Sequence, residues 1–511
     1  MKQLWVAIVL VCVACGDDVD PPADDAAPGD VGSADVGSDA GVRVDAGNSA
    51  ALPLASFYEE AIAWRVPEGQ PVFGDDNTIT VEGRRIRVVE FGVGDGGFPA
   101  ADSVFDVGGR LFVEVDAAGE AISNLNEVAV SIRAEDGDAS ERGIQCVLET
   151  GHACVVALHH VLSPSRIDPP YVNETTGEAI TDSTVLQFNL LREQERGVDA
   201  SGSPVAEPRI AREYVAHIAR AGISLLTATG QALVHLSLAA APPARFVVAG
   251  HSKWGGAVAQ MAAFDPRVVG AFVSGWPLDW MRWLELALER WSDGLGIEMF
   301  DFVCAEPCLW SSTQEFLDYH RTPGGQDWVR QFDFRSLQEA GAFDDVAILA
   351  LRNGREAHPV DTEGPLFAEG NGPDAFRFMP DEPHRFDTAE HGSVWRHWVR
   401  HVFDGAPTFD VEERLVESAG FVSLDVDGVD VRQVVLAARQ SDDGTFGALD
   451  SVPDYACEGE CVWSTQPMAV TDETATATLP VDGPFAYVVM VQLDDGSGDL
   501  VTLSSQVHVH P

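Results

Sequence analysis

One stretch constrains this chain more than any other. Arg245-Phe246-Val247-Val248-Ala249 is a short apolar run, and Gly250-His251-Ser252-Lys253-Trp254-Gly255-Gly256 follows it directly. Lys253 to Ala263 then carries the apolar pattern of a helix. A buried strand that turns sharply into a helix, with a serine at the corner, is the layout of a nucleophile elbow. Glycines at positions 250 and 255 permit close backbone packing around the turn. The helix N-terminus behind the serine offers N–H groups and a positive dipole end. The spacing is G-x-S-x-x-G rather than G-x-S-x-G, and a plain structural turn is the competing reading.

The surroundings fit a parallel α/β sheet. Short apolar runs at Ala153–Leu158, Arg245–Ala249, Val268–Val273 and Val346–Leu351 read as buried strands. Helical patterns cover Ala211–Ala221, Lys253–Ala263 and Gly392–Phe403. A chain of 511 residues exceeds one core and divides by texture. Residues 1–15 read as a leader, 16–50 as an acidic linker, and 51–135 as a β-rich region of alternating pattern. Residues 136–405 read as the α/β domain, and 406–511 return to alternating strands with Asp/Gly turns, as in a β-sandwich. The Trp-rich segment 276–310 lies between two sheet strands, where it would cap a site or fill core. The expected fold class is α/β, an α/β-hydrolase fold with an N-terminal β-rich extension and a C-terminal β-sandwich domain.

A serine nucleophile needs a base and an acid that orients the base, in the chain order Ser, acid, His for this fold. His384, in the loop after Met379-Pro380-Asp381-Glu382-Pro383, is the expected base, with His391 in reserve. The loop after Leu351 offers Glu356 and Asp361 as the acid; Glu356 is nearer the strand end and is preferred. Asp279, after the preceding strand, is a further alternative. Backbone N–H groups at Lys253 and His159 are the expected oxyanion donors. No cofactor and no metal is implied. A metalloenzyme using His152, His159 or His160 is a weaker reading.

Export is expected from the first residues. Lys2 precedes the apolar run Leu4–Ala14, too short to span a bilayer but suited to a signal peptide. Val13-Ala14-Cys15-Gly16 is similar to a lipoprotein cleavage box, which makes Cys15 the lipidated residue and the outer membrane the expected location, with plain secretion as the alternative. The next residues, poor in large side chains, read as a disordered tether. Cys146/Cys154, Cys304/Cys308 and Cys457/Cys461 form near-neighbour pairs expected to be disulfides of an oxidising compartment. A formal charge of -49 argues against nucleic acid as a partner.

Several of these segments together resemble the PhoPQ-activated pathogenicity-related family of α/β hydrolases. Gly250-His251-Ser252-Lys253-Trp254-Gly255 is similar to that family's Gly-x-Ser-Lys-x-Gly elbow, and Phe264-Asp265-Pro266-Arg267-Val268 to its Val-Asp-Pro-Arg-Val run. Asn353-Gly354, Asp361 and the Pro380-x-x-x-His384 spacing match its acid and histidine loops, and the C-terminal region around Trp463 also looks similar. Arg355 stands where the family has Asp, and Trp254 where Arg is usual. The resemblance implies a hydrolase acting on a small-molecule, ester or peptide substrate, with Glu356 replacing the usual acid. The alternative function is a surface binding or adhesion protein on a catalytically degenerate hydrolase fold.

Overall fold

The computed structural model describes residues 71–93, 107–132, 139–158, 214–291, 313–355, 372–383, 389–418, 420–440, 463–480, 483–494 and 500–510, with the short pieces 58–59, 62–63 and 366–367. Calls on Cys15, His159, His160, Cys304, Cys308, Glu356, Asp361, His384, Cys457 and Cys461 lie outside the described residues.

A nine-stranded sheet forms the centre. Its strands are β1 (Val72–Val81), β2 (Arg84–Val93), β3 (Val107–Val115), β4 (Asn124–Ser131), β5 (His152–Ala157), β6 (Arg245–His251), β7 (Val268–Ser274), β8 (Ala347–Arg355) and β9 (Ala375–Pro383). Their spatial order is β1-β2-β3-β5-β4-β6-β7-β8-β9. β1, β2, β3 and β5 pair antiparallel in turn, whereas β5, β4, β6, β7, β8 and β9 run parallel. The stretch before residue 135 is therefore not a separate layer; its four strands enter the same sheet. Alternation there reflects strands near one side of a large sheet, which a sequence cannot distinguish from an independent β unit.

Helices cover both faces. α1 (Ala139–Thr150) and α8 (Ala389–Asp404) pack together on one. α2 (Tyr214–His235) and α3 (Lys253–Phe264) pack together on the other. β6 is apolar and buried from Phe246 onward because it is covered on both faces. Val247, Ala249, Phe272 and Leu351 share a core with Trp395 and Trp398 of α8. Between β7 and β8 lie α4 (Trp280–Trp291), α5 (Thr313–His320), α6 (Pro323–Phe332) and α7 (Phe334–Glu339).

Cys146 of α1 and Cys154 of β5 form a disulfide with Cα atoms 6.2 Å apart, pinning the helix to the strand beneath it. After α8 come two antiparallel sheets. One contains β10 (Leu415–Ser418), β11 (Phe421–Asp425), β14 (Ala469–Thr471) and β15 (Thr474–Thr478). The other contains β12 (Val431–Gln440), β13 (Ser464–Pro467), β16 (Phe485–Asp494) and β17 (Leu500–Ser504), with β18 (His508–His510) paired to β16. Val422 and Leu424 of the first sheet share a buried cluster with Leu436, Tyr487 and Val489 of the second. β17 also reaches the central sheet, where Ser504 Oγ accepts the Phe378 N–H at 2.7 Å.

Candidate active site

β6 delivers its last residue, His251, to the carboxyl edge of the sheet, and α3 begins two residues later. Ser252 between them has φ 56° and ψ -130°. A positive φ at a residue with a Cβ costs on the order of 1 kcal/mol or more and persists only where its surroundings enforce it. Here the enforcement is visible. The Ser252 N–H donates to Ser274 O at 2.8 Å, tying the turn to the neighbouring strand β7. Gly255 N–H donates to Ser252 O at 2.7 Å, and Gly256 N–H at 3.2 Å, which starts the helix at once.

Two glycines make the turn possible. A Cβ at Gly250 would stand 2.3 Å from Trp254 O, and one at Gly255 would stand 2.6 Å from Ser274 O. Both contacts are to backbone, so no side-chain adjustment relieves them. Ser252 and Lys253 stay half-buried while the rest of the helix from Trp254 to Ala262 is buried. This is the geometry expected of an elbow that lifts its serine away from a packed sheet.

A buried polar layer lies beside the elbow. His251 Nδ1 shares a hydrogen bond with Ser274 Oγ at 2.9 Å. His391, in the first turn of α8, shares one with Asn353 Oδ1 of β8 through its Nε2 at 3.2 Å. The two imidazoles meet edge to face with centroids 6.4 Å apart. Neither histidine is more than 1% exposed, so His391 is placed as a packed residue of the α8 start. No local pattern announces this layer, because its partners lie on three separate strands and a helix.

Asp279 sits at the N-terminus of α4. One of its oxygens accepts the Arg282 N–H at 2.9 Å, and the other accepts from Arg335 at 2.8 Å. That is a helix cap joined to an ion pair, so the carboxylate is held by α4 and α7. Asp333 lies close by, accepting the Trp280 N–H and the Ser336 N–H. Burial pushes the Asp333 carboxyl up to about 7, and the Asp279 charge adds to the rise. Trp276, Trp280 and Trp283 are buried and packed ring on ring against Phe332 and His320. These three tryptophans fill core under the elbow, where Trp276 lies against Gly255 and Gly256.

His152 is at the opposite end of β5 from Ala157, roughly 16 Å away at the rise of a strand. Its Nε2 lies 3.1 Å from both carboxylate oxygens of Asp404. Among the described residues no group of three or more His, Cys, Asp and Glu is placed to hold a metal ion. A cavity of about 30 Å³ lies between α1 and α8, bounded by Ser131, Val156, His391, Trp395 and the Cys146–Cys154 bridge. That is room for about one water, too little for a substrate.

A mixed sheet whose leading strands pair antiparallel, with β4 and β5 exchanged in order, helices on both faces and a serine at a strand–turn–helix corner on the carboxyl edge is the layout of the α/β-hydrolase fold. No protein-family profile matches the chain, and no curated protein sequence is similar to it. Among solved structures, the chain is similar to acetyl xylan esterase 1 from Thermoanaerobacterium sp. JW/SL YS485, at 12% identity and a TM-score of 0.35, over 69% of this chain and 94% of that one. It is similar to an S-formylglutathione hydrolase from Agrobacterium tumefaciens at 15% identity and a TM-score of 0.35, over 64% and 99%. A glucuronoyl esterase from Solibacter usitatus aligns at 12% identity and a TM-score of 0.36, over 68% and 92%.

Proposed function

We propose that this protein is an exported serine hydrolase that cleaves a carboxylic ester or amide through an acyl-enzyme on Ser252. The observation that carries the reading is the Ser252 backbone, held at φ 56° between a buried strand and a helix. A plain turn at this point has no need of a strained non-glycine residue, since glycine adopts the same conformation without strain.

In this reading Ser252 Oγ attacks the carbonyl and His384 takes its proton. His384 then gives that proton to the leaving group, and Glu356 holds the imidazole in the required tautomer. Asp361 is the alternative acid; Asp279, engaged by Arg282 and Arg335, is a weaker one. The N–H of Lys253, at the first position of α3, is one oxyanion donor, and a second is assigned to the backbone at His159. Cys15 is assigned as the lipid anchor, which the Cys146–Cys154 disulfide suits, since such bridges persist in oxidising compartments. The two C-terminal sheets are read as an appended β-sandwich, and the likeness to the PhoPQ-activated pathogenicity-related family belongs to the same proposal.

Hydrolysis of para-nitrophenyl esters tests the reading. Ser252→Ala should lower turnover at least about a thousandfold while the protein stays folded. Equal turnover by wild type and Ser252→Ala would move the chemistry elsewhere. No turnover by folded wild type across short and long acyl chains would favour a binding protein on a degenerate hydrolase fold.

A further inference from the structure

Ser274 is the last residue of β7 and lies opposite His251 in the parallel β6–β7 pairing. It holds two successive residues of the elbow with two different groups. Its carbonyl oxygen accepts the Ser252 N–H at 2.8 Å, and its hydroxyl shares a hydrogen bond with His251 Nδ1 at 2.9 Å. Both Ser274 and His251 are fully buried.

The next residue completes the arrangement. Gly275 has φ 58°, and its N–H donates to Leu351 O of β8 at 2.9 Å. A Cβ at Gly275 would stand 2.4 Å from His251 Cε1, so the imidazole fills the space that a side chain at 275 would need. The ring is thus confined by the Ser274 hydroxyl, by the Gly275 backbone and, edge to face, by His391.

Stability alone gives little reason to bury this pair. Both groups lose their water on burial, so an apolar pair of the same shape would be nearly as stable. What the hydrogen bond adds is direction, since it fixes the ring and the strand end at one point. That point adjoins Ser252, whose φ is 56°. On its C-terminal side Ser252 is held by the helix, through the N–H groups of Gly255 and Gly256. On its N-terminal side the restraint comes through His251 and Ser274. A nucleophile needs such restraint, because a displacement of about 1 Å can cost roughly a hundredfold in rate.

We infer that Ser274 is a positioning residue for the nucleophile, aiming Ser252 through its own carbonyl oxygen and through the His251 ring. The inference rests on Ser252 being the nucleophile.

The test uses the full chain, with the folded fraction read by near-ultraviolet circular dichroism. Ser274→Ala should lower kcat for para-nitrophenyl butyrate roughly tenfold or more, with KM within about twofold. The rate of fluorophosphonate labelling at Ser252, per folded molecule, should fall by a similar factor, because the same oxygen attacks. Ser274→Thr keeps the hydroxyl and should recover most of the rate. Asp265→Ala, which loosens the amino edge instead, should label at the wild-type rate per folded molecule. A labelling rate in Ser274→Ala within about twofold of wild type would overturn the inference. An equal loss in Ser274→Thr or in Asp265→Ala would overturn it too, by making the effect one of packing. If Ser274→Ala does not fold, Ser274→Cys carries the test, since a thiol has similar shape but bonds more weakly. Its labelling should slow by about threefold or more, and an unchanged rate would overturn the inference. Failure of the underlying reading looks different: wild-type protein itself would take no label at Ser252.

Discussion

At its amino edge the central sheet keeps its charges in pairs: Glu127 with Arg245, Asp265 with Arg267, and His152 with Asp404. At its carboxyl edge the strands β4 to β8 end in small, hydroxyl, imidazole and cationic groups, and Ser252, held at a positive φ, stands among them. The same strands make both edges, so the difference is not one of fold. Paired charges at one edge satisfy each other and hold elements in place. At the other edge the half-buried elbow holds a conformation that packing enforces against its own preference. In the proposed reading, stability and chemistry are thus separated along the length of each strand, as is common where ligands bind at the strand ends of α/β sheets.

The comparison can be broken first at the carboxyl edge. His384→Ala should lower turnover by roughly three orders of magnitude or more, and Glu356→Gln by about two to four, in kinetics on purified protein. Asp361→Asn should stay within about threefold of wild type. The reverse order for Glu356 and Asp361 would reassign the acid. At the amino edge the effect should fall on stability alone. Asp265→Ala strands Arg267 beside a fully buried position and should cost about 3 kcal/mol in denaturant unfolding, with kcat per folded molecule unchanged.

Two buried groups sharpen the contrast through pH. His397 of α8 is fully buried, and neither of its ring nitrogens has a hydrogen-bond partner among the described residues. Burial pushes the imidazole down to about 3, with the charges of His401 and Arg400 adding to the fall. The unfolded chain takes this proton near pH 6.5 and the folded one does not. The stability that the neutral ring protects is therefore present above about 6.5 and is lost as pH falls toward 3. His397→Leu should flatten that acid limb. Asp333 has the opposite sign: with its carboxyl pushed up to about 7, the folded state favours the proton. Its stabilising protonation is complete below about pH 4 and lost as pH rises through 7, so Asp333→Asn should flatten the neutral limb. Equilibrium unfolding at a series of pH values, wild type against each variant, reads both.

The smallest effect is the most local. Ser252→Gly should raise stability by about 1 kcal/mol by relieving the positive φ, and should abolish hydrolysis at the same time. A loss of stability would show that the serine side chain, not its function, holds the turn.

Much of this was legible in the sequence because it is written locally. The run Arg245–Ala249, the glycines at 250 and 255 and the helical pattern after Lys253 occupy twenty consecutive residues, and each element forms where its pattern predicts. Strand ends were less legible. The apolar run at Val346–Leu351 underestimates β8, which continues through Arg352 and Asn353, buried polar residues with no place in an apolar pattern. β9 was missed for the same reason: Arg377 is buried within it, paired with Glu390 of α8. The polar layer of His251, Ser274, Asn353 and His391 was invisible because its members come from β6, β7, β8 and α8. Distance along the chain hides such sites, since period and turn signals act only over a few residues.

Reaction with a fluorophosphonate, followed by peptide mass spectrometry, probes the serine without any assumption about substrate. The account predicts one adduct on wild-type protein, located at Ser252 and absent from Ser252→Ala. Folded wild-type protein that takes up no adduct, or takes it up at another serine, would contradict it.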